Sequence, residues 1–221
     1  MKKEHPFIAY KPKTYNEKEI LERSREFYLR ANERRSIRQF STRPVATEVI
    51  RNIIMTASTA PSGANKQPWT FCVVTNPALK KQIREAAERE EKKNYQERMS
   101  KEWLDDLEHL ETNWNKEFIE DVPIIIVVFK RIYEIDNGTK HKNYYVNESV
   151  GLATGLLIAA IHHAGLASLT YTPSPMDFLA KLLKRPQNER PYLVIPVGYP
   201  AEDAIVPDQP RKSAEEVLFS Y

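Results

Sequence analysis

Residues 124–129, IIIVVF, restrict the fold of this 221-residue chain more than any other segment. The run has no polar face, and its Ile and Val side chains suit a pleated strand. A strand built from it has to be covered on both sides. Two further strands are expected at 167–171 and 193–197, and a fourth at 70–74, where Cys72 lies in the apolar run TFCVV. Between them the pattern is helical. Asn16 and Glu19 have the form of a capping box opening a helix to about Asn32, with Ile20, Leu21, Phe27 and Tyr28 on its apolar side. Val49, Ile50, Ile53, Ile54 and Ala57 recur at helical spacing over 47–58. Asn76-Pro77 reads as an N-cap with proline at the first helical position, opening a long charged helix with few apolar anchors. Residues 103–118 read as another such helix, and 148–164 as an apolar one closed by Gly165. Asn137-Gly138 marks a turn, and a short helix starts at Asp177. Helices mixed with about four strands, without regular alternation, indicate an α+β fold or a mixed sheet rather than a doubly wound parallel one.

The length suits one domain, 1–221, with an N-terminal extension over about 1–16. A net charge of +3 is too small to point to nucleic acid. The single cysteine allows neither an intrachain disulfide nor a thiolate metal cluster. The polar start MKKEHP lacks a signal segment, and no apolar stretch approaches the roughly 20 residues that span a bilayer. A soluble, cytoplasmic protein is expected, with no membrane partner. Walker, GxGxxG, GxSxG and HExxH motifs are absent. His162 and His163 are adjacent on a helix and project to different faces, which does not suit a metal site.

Two segments could carry chemistry. Arg34-Arg35-Ser36-Ile37-Arg38 sets three guanidinium groups and a hydroxyl close together, suited to a phosphate and the polar edge of a cofactor. On spacing alone, a solvated basic helix end accounts for it equally. The turn Ala60-Pro61-Ser62-Gly63-Ala64 exposes backbone N–H groups and a hydroxyl to an anion or a ring edge, although most such turns only connect elements.

Taken together, RRSIRQFS at 34–41, TAPSGANKQPWTF at 59–71 and PVGYP at 196–200 resemble the nitroreductase superfamily. EREEKKNYQERM at 88–99, LETNWNKEF at 110–118, NESVGLATGLLIAA at 147–160, HAGLASLTYTP at 163–173 and VPDQPRK at 206–212 narrow the resemblance to its iodotyrosine deiodinase branch. The resemblance implies a nitroreductase-like mixed β-sheet flanked by helices, in an intertwined homodimer with one FMN at each subunit interface. Carried over by position, Arg34, Arg35, Ser36 and Arg211 would hold the FMN phosphate. Arg38 would face the N1/O2 edge of the flavin. Ser62 and Gly63 would contact the cofactor, with Thr170 and Thr172 near its N5 side. Thr172 is the candidate catalytic residue, its hydrogen bond to N5 favouring one-electron transfer.

The same resemblance makes Glu91, Tyr95 and Lys116 the substrate residues, on a lid over about 85–118, with the Ala64 N–H meeting the substrate phenolate. Glu91 would take the ammonium of an amino acid, and Lys116 with Tyr95 its carboxylate. The implied reaction is reductive dehalogenation of halotyrosines such as 3-iodotyrosine to tyrosine and halide. Electrons would come from a reduced flavodoxin- or ferredoxin-type protein or an NAD(P)H-linked reductase. A broad nitroreductase or quinone reductase needs no such clamp, and a non-catalytic flavin-containing binder of aromatic amino acids is a third possibility. The chain departs from the branch at Asn65-Lys66-Gln67, where His-Thr-Glu is usual, and at Tyr171 and Ser174, where Thr and Leu are common. No N-terminal anchor like that of the animal enzymes is expected.

Overall fold

The structure is a computed structural model and describes residues 6–221, so the first five residues of the expected extension over 1–16 lie outside the described residues. The chain divides into two units between Arg34 and Arg35. The first contains one helix, α1 (Glu17–Glu33), opened by the Asn16/Glu19 capping box. None of its residues is buried, and Ile20, Leu21, Phe27 and Tyr28 are all exposed.

The second unit is built on a four-stranded sheet in the order β1 (Trp69–Val74), β2 (Ile124–Arg131), β6 (Glu189–Gly198), β5 (Ala167–Ser168). β2 and β6 are the inner strands, and β2 carries the IIIVVF run. Its alternation sends Ile124, Ile126 and Val128 to one face, against α2 (Thr47–Ala57) and α6 (Val146–His163). Ile125, Val127 and Phe129 go to the other face, against α3 (Pro77–Lys93), α5 (Phe118–Asp121) and α7 (Asp177–Leu182). Each such residue, fully buried, contributes about 1.5–3 kcal/mol. All named strand pairs are antiparallel. The mixed character expected of the sheet is confined to the isolated parallel bridge Ser36↔Ser168. A separate hairpin, β3 (Tyr133–Asp136) and β4 (Thr139–Lys142), turns at Asn137-Gly138, both with positive φ as a tight two-residue turn requires.

Two expectations need correction. The few apolar anchors of α3 hold it firmly: Ile83 and Ala87 are fully buried and fix it to the sheet. The helix expected over 103–118 is broken. α4 (Lys101–Glu108) ends early, Glu111 adopts φ 47, and residues 109–117 form a loop before α5. The Asn113 side chain accepts from the Asn115 N–H, and the Lys116 N–H goes to Glu88 on α3, which draws the chain out of helical register.

The β1–β6 end of the sheet is pinned by Glu189, 3% exposed, which accepts from Thr70 at 2.7 Å and from Arg185 at 2.6 and 3.0 Å. Burial pushes its pKa up, but the Arg185 and Thr70 hydrogen bonds outweigh that and hold it below the ordinary glutamate value. A carboxyl depressed in this way stabilises the fold above its unfolded pKa, and the stabilisation is lost as pH falls through the folded value. Glu189→Gln is therefore expected to cost about 2–3 kcal/mol near neutrality. In chemical denaturation the gap between parent and variant should close below the ordinary glutamate range.

Candidate functional site

The basic segment lies beyond the end of α1, which stops at Glu33 with Arg34 as its C-cap. Residues 35–38 are half-buried rather than a solvated helix end. Ile37 donates its N–H to Ser168 at 3.1 Å, which sets Ser36 beside β5. The segment also fastens the chain that follows β6. The Arg35 guanidinium donates to the Pro207 carbonyl, and Gln39 accepts from the Ala201 and Ile205 N–H groups through its backbone and side-chain oxygens. Arg38 lines a cleft of about 410 Å³ with Gln39, Glu111 and Pro207. Arg211 is exposed on the C-terminal segment.

Thr170 and Thr172 are both exposed, flanking the buried Tyr171, whose backbone exchanges two 2.9 Å hydrogen bonds with Val194. The alternation puts both hydroxyl-bearing side chains on the open face of the segment that begins at β5.

The turn at Ser62-Gly63-Ala64 is over-determined. Ser62 Oγ accepts from the Gln67 N–H at 2.9 Å, and the Gly63 N–H points to Ser149 Oγ of α6 at 3.4 Å. A Cβ on Gly63 would stand 2.9 Å from the Tyr145 ring and 3.1 Å from the Tyr144 carbonyl, so only glycine fits. Ala64, Asn65 and Gln67 have positive φ, an uncommon run of strained residues typical of a functional turn. The contacts of this turn run to α6, not to the basic segment.

Glu91, Tyr95 and Lys116 converge. Glu91 and Lys116 are 6% and 5% exposed, and the Lys116 ammonium lies 3.7 Å from the Glu91 carboxylate. Lys116 also donates to the Asn113 carbonyl and sits 5.8 and 5.7 Å from the ring centres of Tyr95 and Tyr171. The Tyr95 hydroxyl donates to the Thr112 carbonyl at 3.3 Å. Glu91 and Tyr95 do not share a regular α-helical face: α3 passes into a π-turn at Asn94–Arg98, a distortion that recurs at functional sites.

Neighbours on α3 hold Lys116 in place. Arg84 pairs with Glu88 at 2.7 Å and Glu120 at 3.2 Å and donates to Asn115 at 3.0 Å. Buried Lys80 donates to the Glu120 and Val122 carbonyls, each at 2.6 Å, and so caps α5. Asn94 donates to the Ser174 carbonyl at 2.7 Å, which ties the π-turn to the Thr170–Thr172 side.

Burial disfavours both charges of the central pair. It pushes the Glu91 pKa up, with Lys116 opposing, and pulls the Lys116 pKa down, with Glu91 opposing and Arg38 adding to the drop. Mutual attraction at 3.7 Å does not repay the desolvation, and a ligand carrying one charge of each sign would. Burial lowers the Arg38 pKa too, and Tyr95 acts against it. Arg38 thus lies within electrostatic reach of both Tyr95 and Lys116, joining the basic segment to the buried pair.

The structure therefore gathers Glu91, Tyr95, Lys116 and Arg38, with Thr170 and Thr172 beside Tyr171. Among the described residues, Ser62 and Gly63 make their contacts with Gln67 and α6 rather than with this cluster. Residues 88, 112 and 171 belong to the cluster and were not singled out as site residues. For Thr112 a signal exists, since it lies four residues before Lys116. For Tyr171 only the strand alternation and its departure from the common Thr hint at a role. Among the described residues no group of three or more His, Cys, Asp or Glu could hold a metal, and no helix is long and apolar enough to cross a membrane.

Comparison with known proteins places this geometry. The model of the nitroreductase family matches residues 31–199. An iodotyrosine deiodinase of Haliscomenobacter hydrossis is 55% identical over 222 residues, covering 100% of both chains. One from Hydra vulgaris is 46% identical, covering 97% of this chain and 80% of its own. A crystal structure of oxidised iodotyrosine deiodinase bound to FMN and 3-iodo-L-tyrosine superposes with a TM-score of 0.76 at 34% identity, over 88% of this chain and 98% of that one.

Proposed function

The chain belongs to the nitroreductase family, in its iodotyrosine deiodinase branch, and from that premise we propose that it is an FMN-dependent reductive dehalogenase of halotyrosines such as 3-iodotyrosine. The buried Glu91–Lys116 pair carries the reading. A buried carboxylate and ammonium, each short of compensation, match the ammonium and carboxylate of an amino acid. A general nitroreductase has no use for such a pair.

The donor set suits FMN. Arg34, Arg35, Ser36 and Arg211 supply positive charge and a hydroxyl for a terminal phosphate. Ser62 and Gly63, in a turn where only glycine fits, would contact the cofactor. Arg38 would meet the N1/O2 edge, and Thr170 and Thr172 the N5 side. When bound, FMN supplies the two electrons that, with one proton, replace the carbon–halogen bond by carbon–hydrogen and release halide.

This chain's residues then do three things. Glu91 receives the substrate ammonium as Lys116 turns to the carboxylate with Tyr95. The Ala64 N–H donates to the phenolate and orients the ring. Thr172, the catalytic residue of this reading, donates its hydroxyl hydrogen bond at N5. The lid over 85–118 would cover the ligand and exclude water, its base fixed in the core by Ile83 and Ala87.

We read 1–221 as one nitroreductase-like domain that works as a homodimer. Exposed apolar side chains support a second copy as the missing cover: Leu152 and Leu156 of α6, Phe27 and Leu29 of α1, and Leu218 and Phe219 near the C-terminus. Such pairing would supply the turn at Ser62–Ala64 to a site whose other residues lie elsewhere in the chain. The electron source is a reduced flavodoxin- or ferredoxin-type protein or an NAD(P)H-linked reductase, in the cytoplasm, where the free thiol of Cys72 stays reduced. With dithionite as electron source, the holoprotein should turn 3-iodotyrosine into tyrosine and iodide. Consumption of nitroaromatics with iodotyrosine left intact would point to a general reductase instead.

A further inference from the structure

Tyr171 is the one buried tyrosine whose hydroxyl has no hydrogen-bond partner of normal geometry among the described residues. Everything else about it is fixed. Its N–H donates to the Val194 carbonyl and its carbonyl accepts from the Val194 N–H, each at 2.9 Å. Phe118 packs edge-on against its ring, with centroids 5.7 Å apart and planes at 85°. The Lys116 ammonium sits 5.7 Å from its ring centre. A side chain held at backbone, edge and face leaves only the hydroxyl with work undone; its ring and the Glu91 carboxylate both meet the Lys116 ammonium, and the hydroxyl is within electrostatic reach of that carboxylate.

Lys116 balances Glu91 at 3.7 Å. An amino-acid ligand draws Lys116 to its own carboxylate and leaves Glu91, 6% exposed, with the ammonium alone. A buried carboxylate has more lone pairs than one ammonium satisfies and needs a second donor. We propose that Tyr171 is a positioning residue for amino-acid recognition: its hydroxyl donates to the Glu91 carboxylate and holds it toward the substrate ammonium once Lys116 has turned away. This rests on the reading of Glu91 and Lys116 as an amino-acid clamp and adds to it the residue that keeps the clamp ionised and aimed.

A pH dependence follows. The groups facing Glu91 are Lys116 from the loop before α5, Tyr171 from the segment after β5 and Tyr95 from the π-turn, with Glu88 of α3 acting through Lys116 and Tyr171 and Arg38 through Tyr95 and Lys116. Burial already pushes the Glu91 pKa above the ordinary glutamate value, and hydrogen-bond donors work against that. Ammonium binding needs the carboxylate ionised. The Tyr171 hydroxyl is among the groups that already hold the Glu91 pKa down before a ligand arrives, so its removal raises that pKa further and moves the acid limb of binding to higher pH.

Tyr171→Phe keeps the ring, with its packing on Phe118 and under Lys116, and removes only the hydroxyl. Calorimetric titration of the FMN-loaded protein with 3-iodo-L-tyrosine and with 2-iodophenol, across pH, tests the proposal. The expected result is about tenfold weaker binding of 3-iodotyrosine, unchanged binding of 2-iodophenol, an acid limb shifted to higher pH, and a raised KM with kcat preserved. Affinity for 3-iodotyrosine within twofold of the parent, equal losses for both ligands, or an unmoved acid limb would each overturn it. If the parent itself binds no 3-iodotyrosine, the clamp reading fails and this inference fails with it. A binding parent with an unaffected variant overturns the inference alone.

Discussion

Glu91→Gln and Lys116→Met are each expected to weaken 3-iodotyrosine binding by about 10- to 100-fold while leaving FMN content and nitroaromatic reduction intact. The size follows from burial. Charged hydrogen bonds in a water-poor setting are each worth about 1.5–3 kcal/mol, and both side chains are nearly inaccessible. Removing one partner also strands the other as a buried charge, so the two single losses should not add in the double variant. A ligand without the amino-acid end, such as 2-iodophenol, should bind the parent poorly and be indifferent to both changes. Equilibrium titration of both ligands against the three variants is the check. Unchanged iodotyrosine affinity in both single variants would return the protein to the class of general FMN reductases.

Arg211→Ala is expected to weaken FMN retention by about tenfold or more, the cost of one charged hydrogen bond to phosphate. Arg211 is exposed on the C-terminal segment, so its replacement leaves the core untouched. The segment leading to it is held at Pro207 by Arg35 and at Ile205 by Gln39, which keeps the arginine near the chain it is read to serve. FMN released on dilution, measured by its fluorescence against the parent, gives the answer. Equal retention would remove Arg211 from the phosphate grip.

Much of the fold was legible because local and global signals agreed. The IIIVVF run called for cover on both faces, and the two helical layers supply it through strict alternation along β2. Asn76-Pro77 starts α3, Asn137-Gly138 turns the hairpin, and Gly165 with φ 77 closes α6. The loop over 109–117 was not legible, because its residues continue a helical pattern, and it is broken by the Asn113 side chain accepting from the Asn115 N–H together with the long-range pull of Glu88 on the Lys116 N–H. The π-turn at Asn94–Arg98 is likewise hidden in a sequence that reads as unbroken α-helix. Within the site, motif resemblance pointed to Glu91, Tyr95 and Lys116, which meet in space. Of their supports, Glu88 and Thr112 lie three and four residues before Glu91 and Lys116, while Tyr171 comes from a distant segment that no spacing rule links to the site it completes.

The central claim is that electrons placed on the bound flavin go to the carbon–halogen bond of an amino acid held by Glu91 and Lys116. An anaerobic single turnover tests it most directly. FMN-loaded protein is reduced with one equivalent of dithionite, excess reductant is removed, and 3-iodo-L-tyrosine is added. Formation of about one tyrosine and one iodide per flavin, with the flavin reoxidised and the yield sharply slowed in Glu91→Gln, is the predicted result. A flavin that stays reduced with 3-iodotyrosine intact, yet is reoxidised at once by a nitroaromatic or a quinone, would contradict it.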